Sequence, residues 1–123
     1  RDNKRNALAS MLLTLREEQK ESNGQLVIYP EGTRTKPGEI VEYKKGIEIL
    51  FSRLKRPLYL ASTNSGLTWP QKGHFLKNST ATLNFIKKIE YDSQVSNLGS
   101  GIKKIIEEDS LELYKNEKSK ACY

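Results

Sequence analysis

Apolar residues in the first quarter of the chain follow two different spacings, and each spacing predicts its own element. Four of them share one face of a helix predicted over residues 3–20: Leu8, Met11, Leu12 and Leu15. The apolar run at residues 26–29 does not alternate, which is typical of a short strand buried on both faces of a parallel sheet. Pro30 ends this predicted strand, because proline has no N–H to donate to the ladder.

A second helix and a second strand are predicted in the middle of the chain. Four apolar residues fit the helical spacing over residues 46–55: Ile47, Leu50, Phe51 and Leu54. Another apolar run, at residues 58–61, follows Pro57. The order of strand, loop, helix and strand predicts a right-handed βαβ unit with parallel strands. We therefore expect an α/β fold with a largely parallel sheet flanked by helices. Three polar residues after the second strand are expected near the loop of the first: Ser62, Thr63 and Asn64.

The last third of the chain predicts one strand and one helix. Residues 80–86 alternate, as in a half-buried strand near a sheet edge. Three apolar residues of this strand are predicted to face inward: Ala81, Leu83 and Phe85. A helix is predicted over residues 96–115, and its outer face carries two expected ion pairs: Lys103–Glu107 and Lys104–Glu108. We expect one domain unit at residues 1–115 and a polar, disordered tail at residues 116–123.

Composition and charge narrow the possible classes of function. Hydrophobic residues make up 36% and charged residues 29% of the 123 residues, and the formal net charge is +6. No apolar run approaches the roughly 18 residues of a membrane span. The spread of basic residues is compatible with an ordinary solvated surface, or with attraction to anionic lipid headgroups or an acidic acyl carrier. No interleaved aromatic and basic motif indicates nucleic acid, and one histidine and one cysteine give no metal set.

The polar cluster at residues 31–34 carries the candidate chemistry. Arg34 offers a planar fork of donors that suits a phosphate or a carboxylate. Thr33 adds a hydroxyl, and Gly32 permits a tight turn with a free N–H. Glu31 would repel an anion, so it either orients Arg34 or accepts a bond from a substrate hydroxyl. The cluster opens a long loop, residues 30–43, and therefore indicates a site for a phosphate that carries an alcohol. The alternative is an ordinary turn closed by a surface Glu–Arg pair.

The sequence Tyr-Pro-Glu-Gly-Thr-Arg-Thr at residues 29–35 resembles the F-P-E-G-T-R-S block of the glycerolipid acyltransferases. It is most similar to the block of bacterial 1-acylglycerol-3-phosphate acyltransferases. Further segments resemble other blocks of this family in the same order, up to about Ile89: residues 1–7 with Arg1, residues 43–47 with the Tyr-Lys-Lys-Gly-Ile sequence, residues 56–61, residues 64–66 and residues 69–70.

The chain departs from the family pattern at the catalytic block. The family uses an Asn-His-x4-Asp block, in which the histidine is the general base, and these 123 residues contain no such block. The single histidine, His74, has Ser79 five positions later and follows the Glu-Gly-Thr-Arg cluster instead of preceding it, so we interpret it as a loop residue. We therefore expect the chain to be the C-terminal part of an acyltransferase domain, with no catalytic residue of its own.

The resemblance implies acyl transfer from acyl-ACP or acyl-CoA to the free hydroxyl of 1-acylglycerol-3-phosphate, which gives phosphatidic acid in phospholipid biosynthesis. In this role Arg34, helped by Arg1, would hold the phosphate of the acceptor, and Glu31 would fix Arg34 or the glycerol. The resemblance implies no metal and no cofactor beyond the thioester co-substrate. It also implies that the protein acts at the cytoplasmic face of the inner membrane. The alternatives are another lysolipid or glycerol-3-phosphate as acceptor, or a non-catalytic phospholipid-binding module.

Overall fold

In the computed structural model, two antiparallel strands form a small sheet that carries helices on one face. The structure describes residues 9–17, 24–36, 38–70, 73, 78–92 and 98–121. Their elements in chain order are α1 (residues 9–17), α2 (Gly46–Leu54), β1 (Leu58–Thr63), α3 (Ser65–Thr68), β2 (Leu83–Ile89) and α4 (Leu98–Ala121). The long predicted loop contains no helix or strand in its described residues.

The predicted helices α1 and α2 are confirmed where the structure describes them. In α1, Leu12 and Leu15 of the predicted apolar stripe are half-buried, whereas Met11 is exposed and Leu8 lies outside the described residues. Helix α2 buries its predicted face, with Ile47, Leu50 and Phe51 in the interior. The next residue, Lys55, caps the helix: it adopts a left-handed conformation with φ 51° and donates its N–H to the Phe51 carbonyl at 3.1 Å.

The sheet is antiparallel, so the prediction of a largely parallel sheet is wrong. Strand β1 was predicted, and it pairs with β2 from Leu58 opposite Ile89 to Thr63 opposite Leu83. The pairing is irregular between Leu60 and Ala61. An antiparallel pair requires only that the chain reverse between the strands. Residues 64–82 make that reversal, so β1 takes its partner from the C-terminal side of the chain.

The apolar run at residues 26–29 is not a strand, and the predicted βαβ unit is therefore absent from the described structure. Val27 and Tyr29 expose 74% and 70% of their surface, respectively. A strand needs a neighbour to satisfy its backbone N–H and C=O groups. Among the described strands, β1 and β2 pair with each other, and neither pairs with residues 26–29. An apolar run alone could not specify that partner.

Strand β2 overlaps the strand predicted at residues 80–86 but lies three residues later, at Leu83–Ile89, and the face predicted to be exposed is the buried one. It begins at Leu83, and Leu83 and Phe85 expose 61% and 70% of their surface. Asn84 and Ile86 instead lie on the half-buried face. The reason is a polar contact with α4, because the Asn84 amide donates to both carboxylate oxygens of Asp109 at 3.1 and 3.0 Å. Adjacent strand residues point to opposite faces, so this contact turns Phe85 outward.

The hydrophobic core lies between the sheet, α2 and α4. Leu60 and Ile102 are its most buried members, at 2% and 1% exposure. Phe51 adds a tilted ring contact to Tyr91, with centroids 5.5 Å apart. The buried cluster contains five apolar residues: Ile47, Phe51, Leu60, Leu98 and Ile102. These residues come from three elements, so the core fixes α4 against both β1 and α2.

Polar side chains hold α4 in one register along the sheet. Ser62, which is buried, donates its hydroxyl to Asp109, the same carboxylate that Asn84 binds. The buried Asn64 donates to the Leu113 carbonyl at 3.5 Å and accepts from the Thr82 N–H at 2.7 Å. Ser62 and Asn64 were expected near the loop at residues 30–43. Their side chains instead bind α4 and, for Asn64, the backbone N–H of Thr82 just before β2.

Helix α4 continues beyond its predicted end. We expected a disordered tail from Asn116, but the helix runs to Ala121. Glu117 lies in this extension with 5% exposure, and its carboxylate accepts the Thr80 N–H at 2.6 Å. A contact between residues 37 positions apart is not visible in local polarity, which is why the sequence pattern indicated a tail.

Candidate functional site

A tight turn places the candidate residues at the surface. The Gly32 N–H donates to the Tyr29 carbonyl at 3.0 Å, so Pro30 and Glu31 occupy the middle of the turn. Gly32 has φ +66°, which is the left-handed region that favours glycine. The expected tight turn at Gly32 is therefore present, and the chain leaves it towards Arg34.

The loop returns to the turn at its far end. The Lys44 N–H donates to the Pro30 carbonyl at 2.8 Å. The Lys44 side chain also lies against Gly32, because a Cβ built on Gly32 would stand 3.1 Å from Lys44 Cγ. Inside the loop, Glu39 closes a second turn by accepting the Lys36 N–H at 3.0 Å. These bonds bring residue 44, just before α2, into contact with the predicted site.

The candidate segment, residues 31–34, consists of Glu31 and Gly32 in this turn and of Thr33 and Arg34 directly after it. Glu31 is half-buried, whereas the other three are exposed. No carboxylate of the described part of the chain forms an ion pair with Arg34, so the predicted surface Glu31–Arg34 pair is not formed. The Arg34 guanidinium is thus open to an anion from solvent. Arg1, the other predicted ligand, lies outside the described residues, as does His74.

Tyr43 places a buried hydroxyl beside the turn, and the sequence pattern did not predict this group. Its oxygen has no hydrogen-bond partner within the described structure. Burial raises the pKa of Tyr43 above its ordinary value, and the carboxylates of Glu31 and Glu107 raise it further. Tyr43 therefore stays protonated and neutral over the physiological range. In the sequence, Tyr43 is followed by two lysines, and this polar surrounding does not indicate a buried hydroxyl.

A cleft of about 710 Å³ separates the loop exit from the first turns of α4. Its walls carry equal numbers of lysines and glutamates: Lys44, Lys45, Lys103 and Lys104, with Glu42, Glu48, Glu107 and Glu108. The Glu48 carboxylate accepts the Gly99 N–H at 3.1 Å and so joins α2 to the first turn of α4. The two walls are more than fifty residues apart in sequence, so local patterns could not reveal the cleft.

Two of the four lysines in this cleft have carboxylate partners. Lys103 binds Glu42 at 2.7 Å, and this bond raises the pKa of Lys103. The predicted Lys103–Glu107 pair is therefore replaced by a pair across the cleft. The predicted Lys104–Glu108 pair is present at 3.9 Å on the exposed face of α4.

The described residues show neither a metal cluster nor a membrane span. No group of three or more His, Cys, Asp or Glu side chains in the described ranges could hold a metal ion. Within the same ranges, every helix is too short or too polar to cross a bilayer. The exposed Arg34 guanidinium is a group that can bind an anion.

Comparison with known families identifies the class of the chain. A family model described as Acyltransferase matches residues 1–64, which is just over half of the 123 residues. The chain therefore belongs to the acyltransferase family, in agreement with its resemblance to the glycerolipid acyltransferase superfamily. The match includes the turn at residues 31–34, the loop and α2, and it ends at Asn64 after β1. Neither the curated proteins nor the solved structures gave a match.

Proposed function

We propose that the turn at residues 31–34 binds the phosphate of 1-acylglycerol-3-phosphate, and that the chain serves acyl transfer to the free hydroxyl of this lipid. The donor is a thioester of acyl carrier protein or coenzyme A, and the product is phosphatidic acid. The observation that supports this assignment is the exposed Arg34, which has no ion-pair partner in the described structure and directly follows Thr33 in the chain. Membership of the acyltransferase family supplies the reaction class.

In this proposal each residue of the turn has a separate task. Arg34 grips the phosphate with two parallel N–H···O bonds, a geometry that its planar fork favours. Glu31 does not pair with Arg34 and can accept a bond from a glycerol hydroxyl. Gly32 sets the direction of the turn, and Thr33 donates its hydroxyl to a phosphate oxygen. Arg1 is proposed as a second phosphate ligand on the resemblance alone.

The transfer itself moves one acyl group and one proton. The acceptor hydroxyl oxygen attacks the thioester carbonyl carbon, the carbon–sulfur bond breaks, and the thiolate leaves. The hydroxyl proton passes to a general base and then to the thiolate. The resemblance implies that this base is the histidine of an Asn-His-x4-Asp block, which these 123 residues do not contain. The task of the present residues is therefore to position the acceptor, which can supply several kcal/mol of the rate enhancement.

The acceptor is a membrane lipid, so the proposed place of action is a membrane surface, at the cytoplasmic face of the inner membrane. The formal net charge of +6 supports this, because anionic headgroups attract basic proteins.

Replacing Arg34 by alanine tests the assignment. In the active enzyme that contains this sequence, we expect Arg34→Ala to lower kcat/KM for 1-acylglycerol-3-phosphate by about 10- to 1,000-fold, because a charge-assisted phosphate contact is worth roughly 1.5–3 kcal/mol per bond. KM for the thioester donor should change little. Arg53→Ala is the matched control, since Arg53 is an exposed arginine in the last turn of α2.

Three acceptors distinguish the proposal from its alternatives. A panel of 1-acylglycerol-3-phosphate, glycerol-3-phosphate and a zwitterionic lysolipid should show the highest kcat/KM for the first. Unchanged kinetics of Arg34→Ala with this acceptor would contradict the role of Arg34. Preference for another acceptor would move the assignment within the superfamily. Binding of the lipid by an enzyme that never turns over would favour a phospholipid-binding module.

A further inference from the structure

Four lysines and four glutamates line the cleft between the loop exit and α4, and two of these lysines have no ion pair in the described structure. Lys44 and Lys45 form no ion pair with any carboxylate of the described structure, whereas Lys103 and Lys104 do. Lys45 is exposed and makes no capping bond at the start of α2. One wall of the cleft therefore offers two ammonium groups to a ligand, whereas the lysines of the opposite wall already have carboxylate partners.

The position of the cleft connects it with the proposed acceptor site. The Lys44 backbone is bonded to Pro30, and the Lys44 side chain lies against Gly32. A ligand that occupies the cleft would therefore lie next to the turn that carries Arg34. Acyl transfer needs two substrates side by side, so a second ligand site is expected at this distance.

The charges of the cleft indicate what kind of ligand it takes. Each wall of the cleft carries two glutamates and two lysines, so a polyphosphate would meet repulsion as well as attraction. A chain with one phosphate and two neutral amides suits these walls better, because the two lysines without an ion pair in the described structure can bind the phosphate and the remaining polar groups can bind the amides. A volume of about 710 Å³ is in the usual range for a small-molecule site.

We propose that this cleft, lined by residues 42–45 and by the first turns of α4, binds the phosphopantetheine arm of the thioester donor. The inference rests on the proposed acyl transfer, because it assigns the second substrate of that reaction. Both possible donors contain this arm: it is linked to a serine in an acyl carrier protein and to a nucleotide in coenzyme A. The single charge of the protein-linked phosphodiester fits the cleft better than the additional phosphates of coenzyme A.

Binding of 4′-phosphopantetheine to the 123-residue chain tests the proposal without any need for turnover. Isothermal titration should give a measurable Kd for 4′-phosphopantetheine and a Kd at least about tenfold weaker for pantetheine, which lacks the phosphate. Backbone amide shifts in the NMR spectrum of the wild-type chain should cluster at residues 42–45 and 99–104. Equal Kd values for the two compounds, or shifts confined to other residues, would overturn the proposal.

Lys45→Glu provides the matching variant, with Lys115→Glu as control. Lys45 is at the N-terminal cap of α2, where a carboxylate is tolerated by the helix dipole, so the change should not unfold the helix. We expect the Kd for 4′-phosphopantetheine to rise at least about tenfold in Lys45→Glu. The exposed Lys115 on α4 is remote from the residues of the cleft, and its variant should bind like the wild type. An unchanged Kd in Lys45→Glu would refute the site.

Two further measurements distinguish the two possible donors and distinguish this inference from the proposed function. Phosphopantetheinylated carrier protein should bind more tightly than coenzyme A, and the reverse order would overturn the choice of a singly charged arm. Arg34→Ala should leave the Kd for 4′-phosphopantetheine unchanged while it weakens use of the lysolipid. Arg34→Ala could leave the use of the lysolipid unchanged while Lys45→Glu raises the Kd for 4′-phosphopantetheine. That result would contradict the acceptor site at Arg34 and would still support the donor site in the cleft.

Discussion

The backbone at Gly32 lies at φ +66°, where a side chain is disfavoured. The same residue is in contact with Lys44, so an added methyl group would have to displace the lysine stem as well. Both the direction of the turn and the contact with the loop exit therefore depend on glycine at this position. At the residue scale, the geometry of the proposed acceptor site is controlled by Gly32, whereas its charge comes from Arg34.

Gly32→Ala should lower the free energy of unfolding by about 1–2 kcal/mol, the cost of a left-handed conformation for an alanine. Urea denaturation of the chain measures this. Gly101→Ala is the contrasting control, because Gly101 lies inside α4 and a Cβ there would meet nothing within 4 Å. That variant should gain about 0.5–1 kcal/mol from its better helix propensity. A stabilised Gly32→Ala variant would contradict the turn.

The raised pKa of Tyr43 predicts that the free energy of unfolding decreases at alkaline pH. Its pKa is raised in the folded state, so the unfolded chain loses this proton first as the pH rises past the ordinary value of 10.0. The contribution of Tyr43 to stability is therefore complete below that pH and is lost above it. Urea denaturation between pH 8 and 11 should show a decline in the wild type that is smaller in Tyr43→Phe. Tyr59→Phe, at an exposed position of β1, serves as the control. An equal decline in Tyr43→Phe would show that another group is responsible.

At the scale of the elements, α4 is the helix that decides how the sheet is oriented. Its Asp109 carboxylate accepts bonds from Ser62 of β1 and Asn84 of β2. Glu117, two turns later, binds the backbone at Thr80. Helix α4 thus selects the polar face of β2 and leaves Leu83 and Phe85 exposed. A hydrophobic alternation in β2 predicted the opposite arrangement, since it took no account of a carboxylate on the facing helix.

Asp109→Ala should destabilise the fold by about 2–3 kcal/mol, because it leaves the buried Ser62 hydroxyl and the Asn84 amide without their acceptor. The midpoint of urea denaturation measures the loss. Glu112→Ala is a matched change at an exposed carboxylate of the same helix and should alter stability by less than about 0.5 kcal/mol. If both variants unfold at the same urea concentration, then the Asp109 contacts do not hold α4 to the sheet.

At the scale of the whole molecule, the two proposed ligand sites are built from parts of the chain that meet only in three dimensions. The turn at residues 31–34 and the exit of its loop form one side. The first turns of α4 form the other side of the cleft and are joined to the loop by Lys103 and Glu42. The sheet and its core hold α4 in this position. The described structure thus contains both proposed binding surfaces, and no catalytic base is proposed among its residues.

We expect the 123-residue chain by itself to catalyse no acyl transfer, because it contains no Asn-His-x4-Asp block. A general base typically contributes ~10²–10⁴ in rate. Release of free thiol from acyl-ACP or acyl-CoA, followed in the presence of 1-acylglycerol-3-phosphate, measures the activity. Turnover above the rate without protein would contradict the expectation. A His74→Ala variant would then show whether the only histidine of the chain takes part.

The sequence by itself determined the elements, the motif and the family. Helical spacing located α1, α2 and α4, an apolar run located β1, and alternation located β2, because these periodicities follow from local backbone geometry. The apolar run at residues 26–29 predicted a strand that does not form, and no pattern predicted α3. The Glu-Gly-Thr-Arg motif marked the turn, since Gly32 and Arg34 act through their own backbone and side-chain chemistry. Tertiary structure alone decided the antiparallel pairing, the exposed face of β2, the length of α4 and the cleft. Those features depend on contacts between distant residues, such as Ser62 with Asp109, for which a local pattern carries no signal.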